Sequence, residues 1–177
     1  MTTRLSGQSS GLPSALTPLA HGALNRCFGC GLENPSGLRL RFFIDADLNI
    51  VCRLRLAGRF AGPPGHAHGG IIATLLDEAM SKANRARGIV AMTRALDVQY
   101  LRPVPLGQPL VLTARHVSTT GRRHHIEGAL RDTFGHALAT ATAVFVTVPP
   151  DLLHRLQSAA VDKETQRGRT ATLRRPR

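Results

Sequence analysis

The apolar residues of this chain keep two different periods, and that switch limits the possible folds more than any other feature. Leu38, Leu40, Phe42 and Ile44 alternate with Arg39, Arg41 and Asp45, and Ile50, Cys52, Leu54 and Leu56 alternate with Arg53 and Arg55. A period of two belongs to a strand with one buried face. Asp45 to Asn49 between the two runs is turn chemistry, so they are expected to form a hairpin. From about Gly69 to Arg87 the period turns helical. Ile72, Leu75, Leu76, Ala79 and Ala83 recur at spacings of three and four, while Lys82 and Arg85 fall elsewhere. Gly88 is placed to stop that helix. Four more strands are predicted at about 93–102, 109–118, 122–132 and 136–147, with Thr119-Thr120-Gly121 and Thr133-Phe134-Gly135 as hairpin loops. Two strands, one long helix and four strands make an α+β chain whose helix must cover one face of a single antiparallel sheet.

The length, 177 residues, favours one domain, and 42% hydrophobic residues suffice for a packed core. Residues 1–25, rich in Ser, Gly, Thr and Pro, and the basic stretch 151–177 read as tails around a domain at 26–150. Leu152, Leu153 and Leu156 would add a short helical turn before the second tail. No apolar run approaches the roughly 20 residues that span a bilayer, so no membrane partner is expected. The first 22 residues are a poor secretory signal, and three cysteines do not make a disulfide framework. A cytoplasmic location follows as the expectation.

The net charge is +12. Seven basic residues against three acids past Pro150 account for +4 of it and Arg4 for +1, which leaves +7 between Arg26 and Pro150. That excess suits a phosphate-bearing ligand, although a solvated basic surface explains it equally well. With one Tyr, no Trp and six scattered Phe, no base-stacking platform is evident, so nucleic acid is not an expected partner.

The helix opens at His68-Gly69-Gly70. Two glycines let a ligand approach the backbone, and the first helical turn offers N–H groups at the positive end of the dipole. Such donors can hold a carbonyl oxygen as it gains negative charge; a glycine pair can also serve only a tight turn. Gly70, Thr74, Asp77 and Ser81 then lie four, three and four apart, forming one small and polar stripe beside the apolar face. Asp77 has no basic residue three or four positions away on either side. It must find a partner elsewhere or do chemistry. Glu78 differs, because Lys82 stands four residues on in the favourable orientation for an ion pair.

The run His68-Gly69-Gly70-Ile71-Ile72-Ala73-Thr74-Leu75-Leu76-Asp77-Glu78-Ala79 resembles the signature of the phenylacetate-degradation-type (PaaI-like) hotdog thioesterases. Leu96 to Pro103 is similar to that family's first strand after the helix, and Gly107-Gln108-Pro109-Leu110 to the turn that follows. Arg26-Cys27-Phe28-Gly29-Cys30-Gly31 and Asn34-Pro35-Ser36-Gly37-Leu38 are similar to a leader in one branch of it. The resemblance covers residues 26–148. It implies a hotdog fold, an antiparallel sheet wrapped around a central helix, and hydrolysis of an acyl-CoA thioester without a cofactor. It also implies roles. The Gly70 N–H would polarise the thioester carbonyl, and Asp77 would act as general base on water or as nucleophile through an anhydride. His68 would orient the turn or touch the substrate, and Thr93 would stand near the attacking water. Gly69, Thr74 and Ser81 would line the substrate. The site would lie between two subunits of a homodimer or a dimer of dimers, Gly70 of one facing Asp77 of the other.

Other signals carry less. Cys27 and Cys30 have metal-ligand spacing, and His66 with His68 would complete four zinc ligands. One Cys pair is half of such a signal, and His68 already serves the helix turn. The preferred reading is therefore a tight turn at the dimer edge or pocket rim with reduced cysteines and no metal. Arg122 and Arg123 after Gly121 are candidate contacts for the phosphates of CoA. No G-x-S-x-G elbow and no Walker loop is present. His66 leaves a hotdog dehydratase as an alternative, and a sensor that binds acyl-CoA without hydrolysing it is another.

Overall fold

The computed structural model describes residues 15–20, 26–152 and 155. Its strands are β1 (Thr17–Pro18), β2 (Phe43–Ile44), β3 (Ile50–Leu54), β4 (Ala91–Tyr100), β5 (Leu110–Thr120), β6 (Arg123–Asp132) and β7 (Ala137–Thr147), with one long helix, α1 (Gly69–Arg85), between β3 and β4. They form one antiparallel sheet in the order β1-β2-β3-β5-β6-β7-β4. Helix α1 packs against β3 to β7, the hotdog arrangement that the periods and the resemblance predict.

Ile72, Leu75, Leu76, Ala79, Met80 and Ala83 are buried against the sheet. Opposite them stand Leu112, Ile126, Leu130, Ala139, Ala141, Ala143 and Phe145. Fully burying a Leu or Met side chain stabilises by about 1.5–3 kcal/mol, so this seam is the main reason the helix holds its place. Gly128 in β6 sets how closely the helix can approach. A methyl group there would stand 3.1 Å from Met80 Cγ and 3.4 Å from Leu76 Cδ2. The helix ends two residues before the predicted limit, and Gly88 follows at φ +70 as the expected stop.

The first predicted strand is mostly absent. Only Phe43 and Ile44 pair with β3, although Leu40 and Phe42 are buried as the alternation requires. Arg39 takes φ +52, which breaks the extended run. The Leu38 and Leu40 N–H groups donate instead to the carbonyls of Phe28 and Gly29. The burial pattern was legible here, the hydrogen-bond partner was not. Within the stretch read as an N-terminal tail, Thr17–Pro18 pairs with Phe43–Ile44 and adds a short edge strand. The chain is helical at 150–152 and 155, where the leucine turn was expected, but Leu153 and Leu156 lie outside the described residues.

Lys82 departs from its predicted place. It is buried, with its Nζ 2.7 Å from Glu78 Oε1 and 5.9 Å from the centre of the Phe42 ring. The expected ion pair forms, but beneath the segment 26–31 rather than on an open helix face.

Candidate active site

His68 caps α1. Its backbone is extended, its carbonyl accepts from the N–H groups of Ile71 and Ile72, and its Nδ1 accepts from the Gly70 N–H at 2.9 Å. The His68 ring thus braces the turn through that hydrogen bond. It also occupies the donor expected to meet a carbonyl oxygen. Tyr100, given no role from sequence, braces the same turn from β4. Its hydroxyl donates to the Gly69 carbonyl at 3.1 Å.

Seven residues along the helix, Asp77 Oδ1 accepts from the Thr93 hydroxyl at 2.7 Å. That length suits a hydroxyl bonded to an ionised carboxylate. The partner missing from Asp77's own helix is therefore a strand hydroxyl. Thr93 reaches it because of an irregularity in β4. His124, Phe145 and Thr93 form one rung of the sheet, and Ile126, Ala143 and Leu96 form another. Both rungs face the helix, yet Thr93 and Leu96 are three residues apart, a spacing that regular alternation sends to opposite faces. The register shifts between Thr93 and Ala95, leaving Arg94 as the extra residue of a bulge. The bulge turns Thr93 inward.

Thr74 lies between the two groups and donates its hydroxyl to the Gly70 carbonyl at 2.8 Å. Ser81, one turn beyond Asp77, is half-buried. Arg122 and Arg123 stand at the β5–β6 turn, and Arg122 Nη2 donates to the Thr147 carbonyl at 3.2 Å. Arg123 shares a rung with Val146 and Met92, next to the Thr93 rung and facing the other way. The basic pair is thus two strand spacings, about 10 Å, from the strand that carries Thr93. Burial first, then the nearby charges of Arg87, His124 and His125, hold the His116 ring below the usual imidazole range.

A concavity of 870 Å³ lies on the opposite face of the sheet, lined among others by Asp97, Gln99, Thr113, Arg115, Glu127 and Phe134. Its described lining includes neither Asp77 nor the glycine turn. Within one chain Gly70 and Asp77 are two helical turns, about 10 Å, apart along the axis, too far to touch one carbonyl group together.

The His66 Nδ1 lies 2.9 Å from the Pro64 carbonyl, and the residue is held by backbone bridging to Pro105. The four-ligand zinc set that spacing allowed, and that the preferred reading set aside, is not assembled among the described residues. Among the described residues, the cysteines gather with Glu78 and not with His66 or His68. The reason is topological: Gly29 and Cys30 lie over the middle of the helix, the two histidines at its start.

Residues 64–138 match the thioesterase superfamily. The chain is 33% identical over 126 residues to the acyl-coenzyme A thioesterase THEM4 of Rattus norvegicus, covering 70% of this chain and 54% of that protein. The chain spans about half the length of the curated relatives it matches. A thioesterase superfamily protein of known crystal structure superposes with a TM-score of 0.64 at 34% identity, covering 66% of this chain and 57% of the other. The PaaI protein of the E. coli phenylacetic acid degradation operon shares the fold, with a TM-score of 0.54 at 19% identity, over 57% of this chain and 73% of its own.

Proposed function

We propose that this chain, whose residues 64–138 match the thioesterase superfamily, hydrolyses an acyl-CoA thioester to the free acid and CoA. The observation that carries the reading is the Asp77–Thr93 pair at 2.7 Å on a helix whose glycine turn can accept a carbonyl. Water attacks the thioester carbon, Asp77 takes its proton, and the C–S bond breaks with CoA leaving as the thiol. If Asp77 instead attacks directly, an anhydride forms first and water then opens it. Thr93 positions the carboxylate in either case. The Gly70 N–H receives the carbonyl oxygen in exchange for His68 Nδ1, and Gly69, Thr74 and Ser81 border the acyl and thioester region.

The separation of the two groups along one helix supports a site shared between two copies, Gly70 of one chain meeting Asp77 of the other. So does β4. It is ten residues long, the last strand of the sheet, with Met92 and Tyr100 both more than half exposed. A long unpaired edge of that kind is normally covered, and a second copy laid against it would bring two helices together. A homodimer, alone or doubled, is the assembly we propose.

Release of CoA thiol from a panel of acyl- and aryl-CoAs tests the activity. Asp77→Asn should lower turnover at least about a hundredfold with the melting temperature unchanged. Unchanged turnover would refute the reading. Binding of acyl-CoA with no thiol release by the unaltered protein would make it a sensor.

A further inference from the structure

The segment 26–31 and helix α1 enclose a group of side chains that the hydrolytic reading does not use. Cys27 Sγ, Cys30 Sγ and a Glu78 carboxylate oxygen all lie within 4.8 Å of one another. Cys30 is buried, Cys27 is exposed, and Glu78 Oε2 lies 3.6 Å from Cys27 Sγ. We propose that Cys27, Cys30 and Glu78 Oε2 hold a thiophilic divalent cation of the zinc type, which fastens the segment 26–31 to the helix.

The geometry fits such an ion. Zinc binds thiolate sulfur at about 2.3 Å and carboxylate oxygen at about 2.0–2.2 Å, so tetrahedral sulfur and oxygen ligands stand about 3.5 Å apart. The Cys27–Glu78 distance already matches that value. Glu78 is divided between two tasks: Oε1 faces Lys82 Nζ at 2.7 Å, while Oε2 turns to the thiols. Room for the carboxylate is made by Gly29. A Cβ at that position would stand 2.6 Å from Oε2 and 2.7 Å from Cδ of Glu78, so any other residue would drive the carboxylate out. The loop is anchored independently by the Leu38 and Leu40 N–H groups and by the Gly31 N–H on the Cys27 carbonyl.

The charges also balance. Two thiols lose their protons to solvent on binding, and two thiolates, one carboxylate and the Lys82 ammonium neutralise a divalent ion at a mostly buried place. The exposed side of Cys27 leaves solvent as the fourth ligand. Two sulfurs favour zinc over magnesium or calcium.

Cobalt tests the site without reference to activity. The reduced, chelator-treated full chain should bind one Co²⁺ per chain with a thiolate-to-metal charge-transfer band, and Zn²⁺ should displace it. Cys27→Ser and Cys30→Ser should each lose the band, and the exposed Cys27 is the variant that should fold without difficulty. Lys82→Gln should weaken binding about tenfold or more while keeping the band, as expected for a residue that positions a ligand. Absence of the band at one equivalent, or an unchanged band in Cys27→Ser, would overturn the proposal. So would a Cys27–Cys30 disulfide in the protein as isolated, read as a mass lower by two hydrogens.

Discussion

If the glycine turn and the acid meet across two subunits, two inactive chains should restore each other. Asp77→Asn removes the base, with an expected loss of about a hundredfold or more. Gly70→Pro removes one N–H and little else, because proline is tolerated in a first helical turn. Its cost should be about 10²–10³ in turnover, the range for losing one oxyanion donor. The clash to watch is small: a Cβ at Gly70 stands 3.1 Å from His68 Nδ1, a ring that no longer has that N–H to accept from. In a heterodimer of the two variants, one site draws Gly70 from the first chain and Asp77 from the second, so it is intact. The other site carries both lesions. Two-fold symmetry therefore gives about half the turnover of the unaltered dimer, against about 1% or less for either parent. Co-expression with two affinity tags isolates the heterodimer, and thiol release reads the result. A heterodimer no more active than its parents would refute the shared site, and both groups would have to act within one chain despite the two turns between them.

Reversal of charge at Arg122 and Arg123 should raise KM for CoA esters more than it lowers kcat, if these residues meet the CoA phosphates; steady-state kinetics would read the split. Leu76→Ala empties a fully buried position between helix and sheet and should cost about 2–5 kcal/mol in denaturant unfolding, with its denaturant slope unchanged. Burial pushes the Cys52 thiol up from 9.0 to about 12. The unfolded chain can then ionise this thiol above pH 9 while the folded chain cannot, so stability should fall between pH 9 and about 12, and Cys52→Ala should flatten that slope. At neutral pH, alkylation followed by mass spectrometry should leave Cys52 unlabelled until the chain unfolds.

The sequence carried most of the fold because its two periods report burial directly. The helix from Gly69 and the long strands β4 to β7 were found within about two residues. Burial does not name a hydrogen-bond partner, however, and so the run from Leu38 to Phe42 was expected in a ladder it does not join. Local contacts were legible in the candidate region, as the Glu78–Lys82 pair four residues apart illustrates, whereas a role for His68 at the glycine turn came only with the family resemblance. Asp77 was marked by the absence of a helical counter-ion. Its partner, 16 residues away, came only from family resemblance, since simple alternation from Leu96 sends Thr93 to the wrong face. The Cys27–Glu78 contact spans 51 residues, and no spacing rule reaches that far.

The extra residue in β4 reconciles the length of a strand with the place of one hydroxyl. With Arg94 left out of the ladder, Thr93 stays opposite Phe145 and faces the helix. A one-residue deletion at Arg94 would let the β4–β7 ladder run without interruption and leave Thr93 on that same rung, so the hydroxyl should still meet Asp77. A slip that drew Arg94 into the ladder would instead set Arg94 opposite Phe145 and turn Thr93 and every residue before it to the other face. Register within one strand, with no change of residue, thus decides whether the acid keeps its hydroxyl.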